Sequence, residues 1–368
     1  MVSQGYDGNI THKGDWSKAL DFIIVNEELK TYSTDAAKPE DFYCYNKPIL
    51  APANGIVQEV VDYLDDNEIG KIDQQQNWGN SIVIKHSEGL YTKMSHLKKN
   101  SFRVKTGEYV KQGDLLASCG NSGRSPEPHL HFQVQYTPYI GSKTSAYPMA
   151  SFLAKKGSGK SEFFEFSIPQ ETDLVSNLDT NSALKAAFDF LPGARFTVEA
   201  EGVETGDWEV FTDAYNQSYL YCHRSKATAY FAKNEVSFYF KSFYGRKDTL
   251  LFCFYEACYK IIFTTNPDVR VSDQFPLLLS KNGLLKWVQD LVSPFYVFSR
   301  LFYESENFAS GNDFFGENMT INSRQTTQFL TTRKIVSEST VQIKDNKVAS
   351  FTMVRNHKTI EAICLQKG

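Results

Sequence analysis

The stretch Pro128-His129-Leu130-His131-Phe132, preceded by Gly120-Asn121-Ser122-Gly123-Arg124-Ser125-Pro126-Glu127, decides how the first part of this chain reads. Successive side chains of a strand point to opposite faces, so His129 and His131 share one face and Leu130 enters the opposite layer. Two imidazoles on one face suit a zinc site, either as two ligands or as one ligand beside a catalytic base; the same pair is also compatible with ordinary core or surface histidines. The glycines and prolines ahead of them make a tight loop that delivers a strand to one place rather than a generic surface turn.

Outward from that stretch the pattern stays that of short strands. Ser81–His86 and Leu90–His96 flank Ser87-Glu88-Gly89 and read as a hairpin, and Ile49–Val57 reads as two strands joined at Asn54-Gly55. A Val-Lys-x-Gly unit at 104–107 returns at 110–113 and places a glycine at each of two turns. Helical periodicity is nearly absent, so an antiparallel β-sheet or barrel-like domain is expected.

With 368 residues, two domains are expected. Composition shifts after Tyr147-Pro148, and the boundaries read as a first domain over 1–155, a charged Gly/Ser-containing linker over 156–162, and a second β-rich domain over 163–368. In the second domain Val236, Phe238 and Phe240 alternate with more polar neighbours, and Asp345-Asn346 forms a hairpin turn. Apolar residues from Gly283 to Tyr303 fall at helical steps, with Pro294 expected to kink or divide the helix. The aromatic alternation from Phe231 to Phe263 reads most simply as a sheet core; lining for an apolar ligand cavity near Phe238 and Phe240 is the other reading. The fold class is therefore mainly β with a kinked helix in the second domain.

A net charge of −4 gives no basic surplus for a phosphate backbone, which argues against nucleic acid as the main partner. No apolar run reaches the roughly 18 residues a membrane-spanning helix needs. Met1–Gly5 has neither the basic nor the apolar segment of an export signal. The six cysteines show no C-x-x-C spacing, which disfavours a thiolate zinc site. The acidic run Asp62–Glu68 lacks the glycine and terminal glutamate of an EF-hand loop and reads as a solvated insertion.

From Trp16 to about Gln135 the chain resembles the lysostaphin/LytM-type zinc metallopeptidases that cleave peptide crosslinks in bacterial cell walls. The blocks that carry the resemblance are Ala19-Leu20-Asp21-Phe22, Pro48–Val57, Trp78–His86, Tyr91–Leu97, Val104–Gly113 and Gly120–Phe132. The resemblance implies Asp21 and His131 as zinc ligands, with His96 and His129 orienting or deprotonating the water and stabilising the tetrahedral transition state. It also implies peptidoglycan peptides as substrate and the cell envelope or periplasm as the place of work. Asn121, Ser122 and Arg124 are read as lining the cleft, and the C-terminal domain as the place for an envelope partner.

One departure stands out. The family's remaining ligand is a histidine three or four residues before the aspartate, where this chain has Lys18 and Ser17. His12 or Asp15, recruited from the adjoining loop, would fill that place. Otherwise the chain reads as a catalytically impaired relative that binds cell wall or regulates a partner. A third reading makes the downstream half a lipid- or ligand-binding module.

Overall fold

The structure is a computed structural model that describes residues 1–157, 159–264, 266, 269–276, 283–309 and 318–367. It divides into two compact units: Met1–Ala150 with Ala154–Gly157 and Glu165–Ser176, and Ser151–Leu153 with Ser158–Phe164 and Asn177–Gly368. The stretch expected to be a linker, 156–162, includes the start of a strand at Ser161–Ser167.

The first unit is built on β1 (Val2–Gln4), β2 (Ala19–Phe22), β3 (Pro48–Leu50), β4 (Gly55–Val61), β5 (Asn80–Ser87), β6 (Leu90–Leu97), β7 (Tyr109–Val110), β8 (Leu115–Ser118), β9 (Leu130–Gln135) and β10 (Thr144–Ser145). The main sheet runs β1-β2-β9-β6-β5-β4-β7, with β10 on β9, and β3 pairs separately with β8. Every pairing among these strands is antiparallel, as the sequence led us to expect. The β5–β6 hairpin closes at Ser87↔Leu90, with Gly89 at φ 72°. Gly107 and Gly113 both take φ 88°, the left-handed conformation their two turns require. Ile82, Ile84 and Val57 are fully buried and, with Met94, Leu97 and Leu116, close the core beneath the sheet.

The hairpin expected at Asn54-Gly55 does not form, because β3 pairs with β8 and β4 with β5 and β7. Gly55 answers a different need. A Cβ there would stand 2.6 Å from both Ile84 Cγ2 and the Lys85 carbonyl oxygen, so only glycine lets β4 approach β5 so closely.

The second unit is also mainly β. Strands Val269–Phe275, Ser299–Ala309, Met319–Phe329, Thr332–Lys344, Lys347–Arg355 and Lys358–Lys367 follow one another antiparallel, and the sheet continues through Arg195–Ala200, Gly206–Thr212, Ser218–Cys222, Thr228–Lys233, Ser237–Tyr244 and Lys260–Ile262. Asp345 and Asn346, both at positive φ, form the expected hairpin turn. Helices are α1 (Ser182–Ala187), α2 (Leu250–Ala257) and α3 (Gly283–Val292). α2 lies inside the stretch read as alternating strand. Thr249 caps it, its Oγ1 accepting from the Phe252 N–H, and all eight of its residues are buried. A helix buried all round shows no polar stripe, which hid it among aromatic strands. α3 stops two residues before Pro294 instead of kinking through it, and Phe302 belongs to the strand that follows. Phe238 and Phe240 are buried in ring-to-ring contact with Phe231, Phe254 and Tyr255, so the positions proposed to line a cavity form a packed core.

Candidate functional site

Asp21 on β2 and His131 on β9 are direct cross-strand partners, and Ser95 on β6 faces His131 from the other side. Sheet register alone therefore brings the carboxylate and the imidazole together: Asp21 Oδ1 lies 2.9 Å from His131 Nδ1. His12 reaches the same oxygen from the loop between β1 and β2, with Nε2 3.2 Å away. The donor atoms of His12, Asp21 and His131 all lie within 4.8 Å of one another, and all three residues are buried. His12 thus lies beside Asp21 and His131, where Ser17 and Lys18 offer no donor. Asp15, the other substitute considered, ion-pairs with Lys143 at the surface, and Lys18 ion-pairs with Asp7.

Two further imidazoles stand beside this cluster. His96, next to last in β6, takes φ 63°, which turns its side chain out of the strand's alternation, and its ring centroid lies 4.7 Å from that of His129. His129 sits just ahead of β9, with Nε2 3.9 Å from Asp21 Oδ1.

The hydrogen bonds determine which nitrogen of each ring keeps a lone pair. A backbone carbonyl only accepts, so Nδ1–H donates to the Gly5 oxygen in His12 (2.8 Å), to the Ser122 oxygen in His96 (2.8 Å) and to the Glu127 oxygen in His129 (2.9 Å). Nε2 of these rings is then free. His131 is oriented by a chain of amides. Gln135 Nε2 donates to the Thr137 and Tyr139 carbonyls, Gln133 Nε2 donates to Gln135 Oε1, and His131 Nε2–H donates to Gln133 Oε1 at 3.0 Å. Nδ1 of His131 therefore turns its lone pair toward Asp21.

A carboxylate oxygen facing two nitrogen lone pairs in a dry site calls for a cation. Burial would raise the Asp21 carboxyl, but with no cation bound the neighbouring His12 and His131 rings carry protons toward it, outweigh burial and hold the group well below the usual carboxylate range. Burial would lower His12, but the adjacent Asp21 lifts it above the ordinary imidazole value. Burial pushes His131 down despite Asp21, and it pushes His96 well down, helped by repulsion from His129 and His131. His12 Nε2 is buried and meets no partner in hydrogen-bond geometry, with only Asp21 Oδ1 beside it at 3.2 Å, a position that a metal ion would satisfy. Two imidazoles and one carboxylate are a donor set suited to zinc, with room left for a water or substrate.

The cluster opens into a cleft of about 710 Å³ whose walls include Trp16, Trp78, Arg124, Glu127, His96 and His129. Trp16 and Trp78 meet edge to face at 5.2 Å, and Trp16 Nε1 donates to the Gly141 carbonyl. Arg124 is among the residues that line the cleft. Asn121 and Ser122 are not: both are fully buried, and their side chains hold neighbouring loops. Asn121 Nδ2 donates to the Asn67 carbonyl, and Ser122 Oγ donates to the Leu97 carbonyl while accepting from the Asn80 N–H. His86 contacts the Asn54 carbonyl and Thr92 Oγ1. Sequence reasoning missed Trp16 and Trp78 as walls and Gln4 and Gln133 as partners of the ligand-forming residues. For His12 the available signal was an unassigned histidine nine residues before Asp21.

A sheet that gathers two imidazoles and a carboxylate, with two more imidazoles at the mouth of a cleft, has the makings of a metallopeptidase site. Residues 38–141 match Peptidase family M23, and the chain carries a domain of that family. The match includes His96, His129 and His131 and begins after Asp21. The chain is 35% identical over 82 residues to the cell division protein DipM of Caulobacter vibrioides, covering 22% of this chain and 13% of that protein. It is 37% identical over 86 residues to the peptidoglycan DD-endopeptidase ShyC of Vibrio cholerae, covering 23% and 17%. The chain thus spans less than a fifth of the length of these curated relatives. Among solved structures it aligns with the catalytic domain of lysostaphin from Staphylococcus simulans at 22% identity and a TM-score of 0.25, over 39% of this chain and 84% of that one.

Proposed function

We propose that the first unit is a zinc endopeptidase acting on the peptide crosslinks of bacterial peptidoglycan, at the cell envelope. The observation that carries this reading is the buried cluster of His12, Asp21 and His131, with donor atoms within 4.8 Å. The printed activity of the relative ShyC, a peptidoglycan DD-endopeptidase, supports the substrate class. His12, Asp21 and His131 would hold the ion, through His12 Nε2, Asp21 Oδ1 and His131 Nδ1. A zinc ion bound there supplies Lewis-acid activation of a water and of the scissile carbonyl. His96, kept neutral by burial, has Nε2 free to accept a proton, and His129 Nε2 stands close enough to share that work and to donate to a developing oxyanion once protonated. Trp16, Trp78 and Arg124 wall the cleft that takes the peptide.

The reading of an impaired relative rested on the vacancy at Ser17 and Lys18, and the approach of His12 removes its main support. The test is digestion of purified cell walls by zinc-loaded protein. Wild type is expected to release crosslink fragments, His12→Ala to bind zinc more weakly and lose activity, and His129→Ala to keep zinc while losing about 10²- to 10⁴-fold in rate. A wild-type protein that holds zinc yet leaves cell walls intact would contradict the proposal.

A further inference from the structure

Gln4 on β1 divides its primary amide between Asp21 of the metal cluster and the loop residues just before His12. Nε2 donates to Asp21 Oδ2 at 2.9 Å and to Thr11 Oγ1 at 2.7 Å, while Oε1 accepts from the N–H groups of Ile10 (3.0 Å) and Thr11 (2.9 Å). Two donors and two acceptor positions are all an amide has, so the group is saturated and its orientation admits no flip. One side chain, itself buried, ties the residues immediately before His12 to the carboxylate that His12 must meet. The loop closes tightly over it: a Cβ on Gly8 would fall 2.4 Å from Gln4 Cγ. The same loop supplies the Gly5 carbonyl that fixes the His12 tautomer. Register completes the arrangement, since Gln4 and Asp21 are β-partners.

Resting on the metal site read above, we infer that Gln4 is the positioning residue that makes His12 a metal ligand. It holds Asp21 with one oxygen turned away from the cluster and Oδ1 turned into it, and it sets the backbone from which His12 reaches that oxygen. The distant histidine can then replace one carried on the strand itself, because the amide does for the loop what strand register does for Asp21 and His131.

The test is zinc affinity of the full chain, measured by competition with a chromophoric chelator, together with thermal unfolding of the metal-free protein. Gln4→Leu is expected to weaken zinc binding by about 10- to 100-fold, the range for lost outer-shell partners, while the metal-free protein still unfolds cooperatively. Gly8→Ala, which displaces the same amide from outside, is expected to weaken zinc in the same direction and decides the matter if Gln4→Leu fails to fold. In a His12→Ala background the Gln4→Leu effect should shrink, since its main route is gone; a merely structural role would add in full. Wild-type protein that takes up no zinc overturns the metal reading and this inference with it. Wild type that binds zinc, with Gln4→Leu and Gly8→Ala binding it equally well, overturns this inference alone.

Discussion

Each histidine of the cluster works through the nitrogen that a partner leaves free. Backbone carbonyls set three rings, with Ser125 Oγ also 3.2 Å from His129 Nδ1, and Gln133 sets the fourth, so a substitution at Gln133 reaches the His131 tautomer directly. Gln133→Leu is expected to weaken zinc binding by about 10- to 100-fold without unfolding the chain, whereas Gln133→Glu, which still accepts from Nε2–H, should stay near wild type; chelator competition reads both. At this scale much of the site was legible. Asp21, His96, His129 and His131 all lie in the sequence blocks that carry the family resemblance; alternation placed His129 and His131 on one face, and the resemblance supplied the roles of Asp21 and His96. His12 lies outside those blocks; its reach depends on how the loop after β1 folds around Gln4, and no local period encodes that.

At the scale of elements, the two loops beside the cleft interlock through glycines. Gly79 and Gly123 take φ 62° and 80°, and a Cβ on Gly123 would stand 2.3 Å from the Gly79 nitrogen, while one on Gly79 would stand 2.3 Å from the Ser122 carbonyl oxygen. The loop carrying Gly123 also presents the carbonyls of Ser122 and Glu127, which orient His96 and His129. Gly123→Ala is therefore expected to cost about 1–3 kcal/mol of stability by thermal unfolding, and to lower cell-wall digestion beyond what the loss of folded protein explains. Strands and tight turns were readable because period and turn residues are local signals. Which strand paired with which was less so: β3 crosses to β8, and Asn54-Gly55, a favourable turn pair, serves a close approach to β5 instead. α2 escaped notice because all eight of its residues are buried and no exposed polar stripe marks its period.

At the scale of the whole molecule, acid stability offers a check on the second unit that is independent of the metal. Glu304 sits between Arg270 and Arg324; burial would raise its carboxyl, but the two guanidinium groups outweigh that and leave it below the usual value. A folded-state pKa below the unfolded one, about 4.3 for glutamate, means stabilisation that is present above that pH and lost as pH falls through the folded value. Glu304→Gln should lower stability at neutral pH and flatten the acid limb in urea titrations followed over a pH series. Equal pH dependence in variant and wild type would show that the pair of arginines contributes nothing there.

No helix among the described residues is long and apolar enough to cross a membrane, and the catalytic reading rests on the first unit. Its central claim is that His12 joins Asp21 and His131 around one zinc ion, and X-ray absorption on the zinc-loaded chain tests it most directly. The expected spectrum has two imidazole nitrogens at about 2.0–2.1 Å and carboxylate oxygen at about 2.0–2.2 Å, falling to one imidazole in His12→Ala. An imidazole count that His12→Ala leaves unchanged would contradict it.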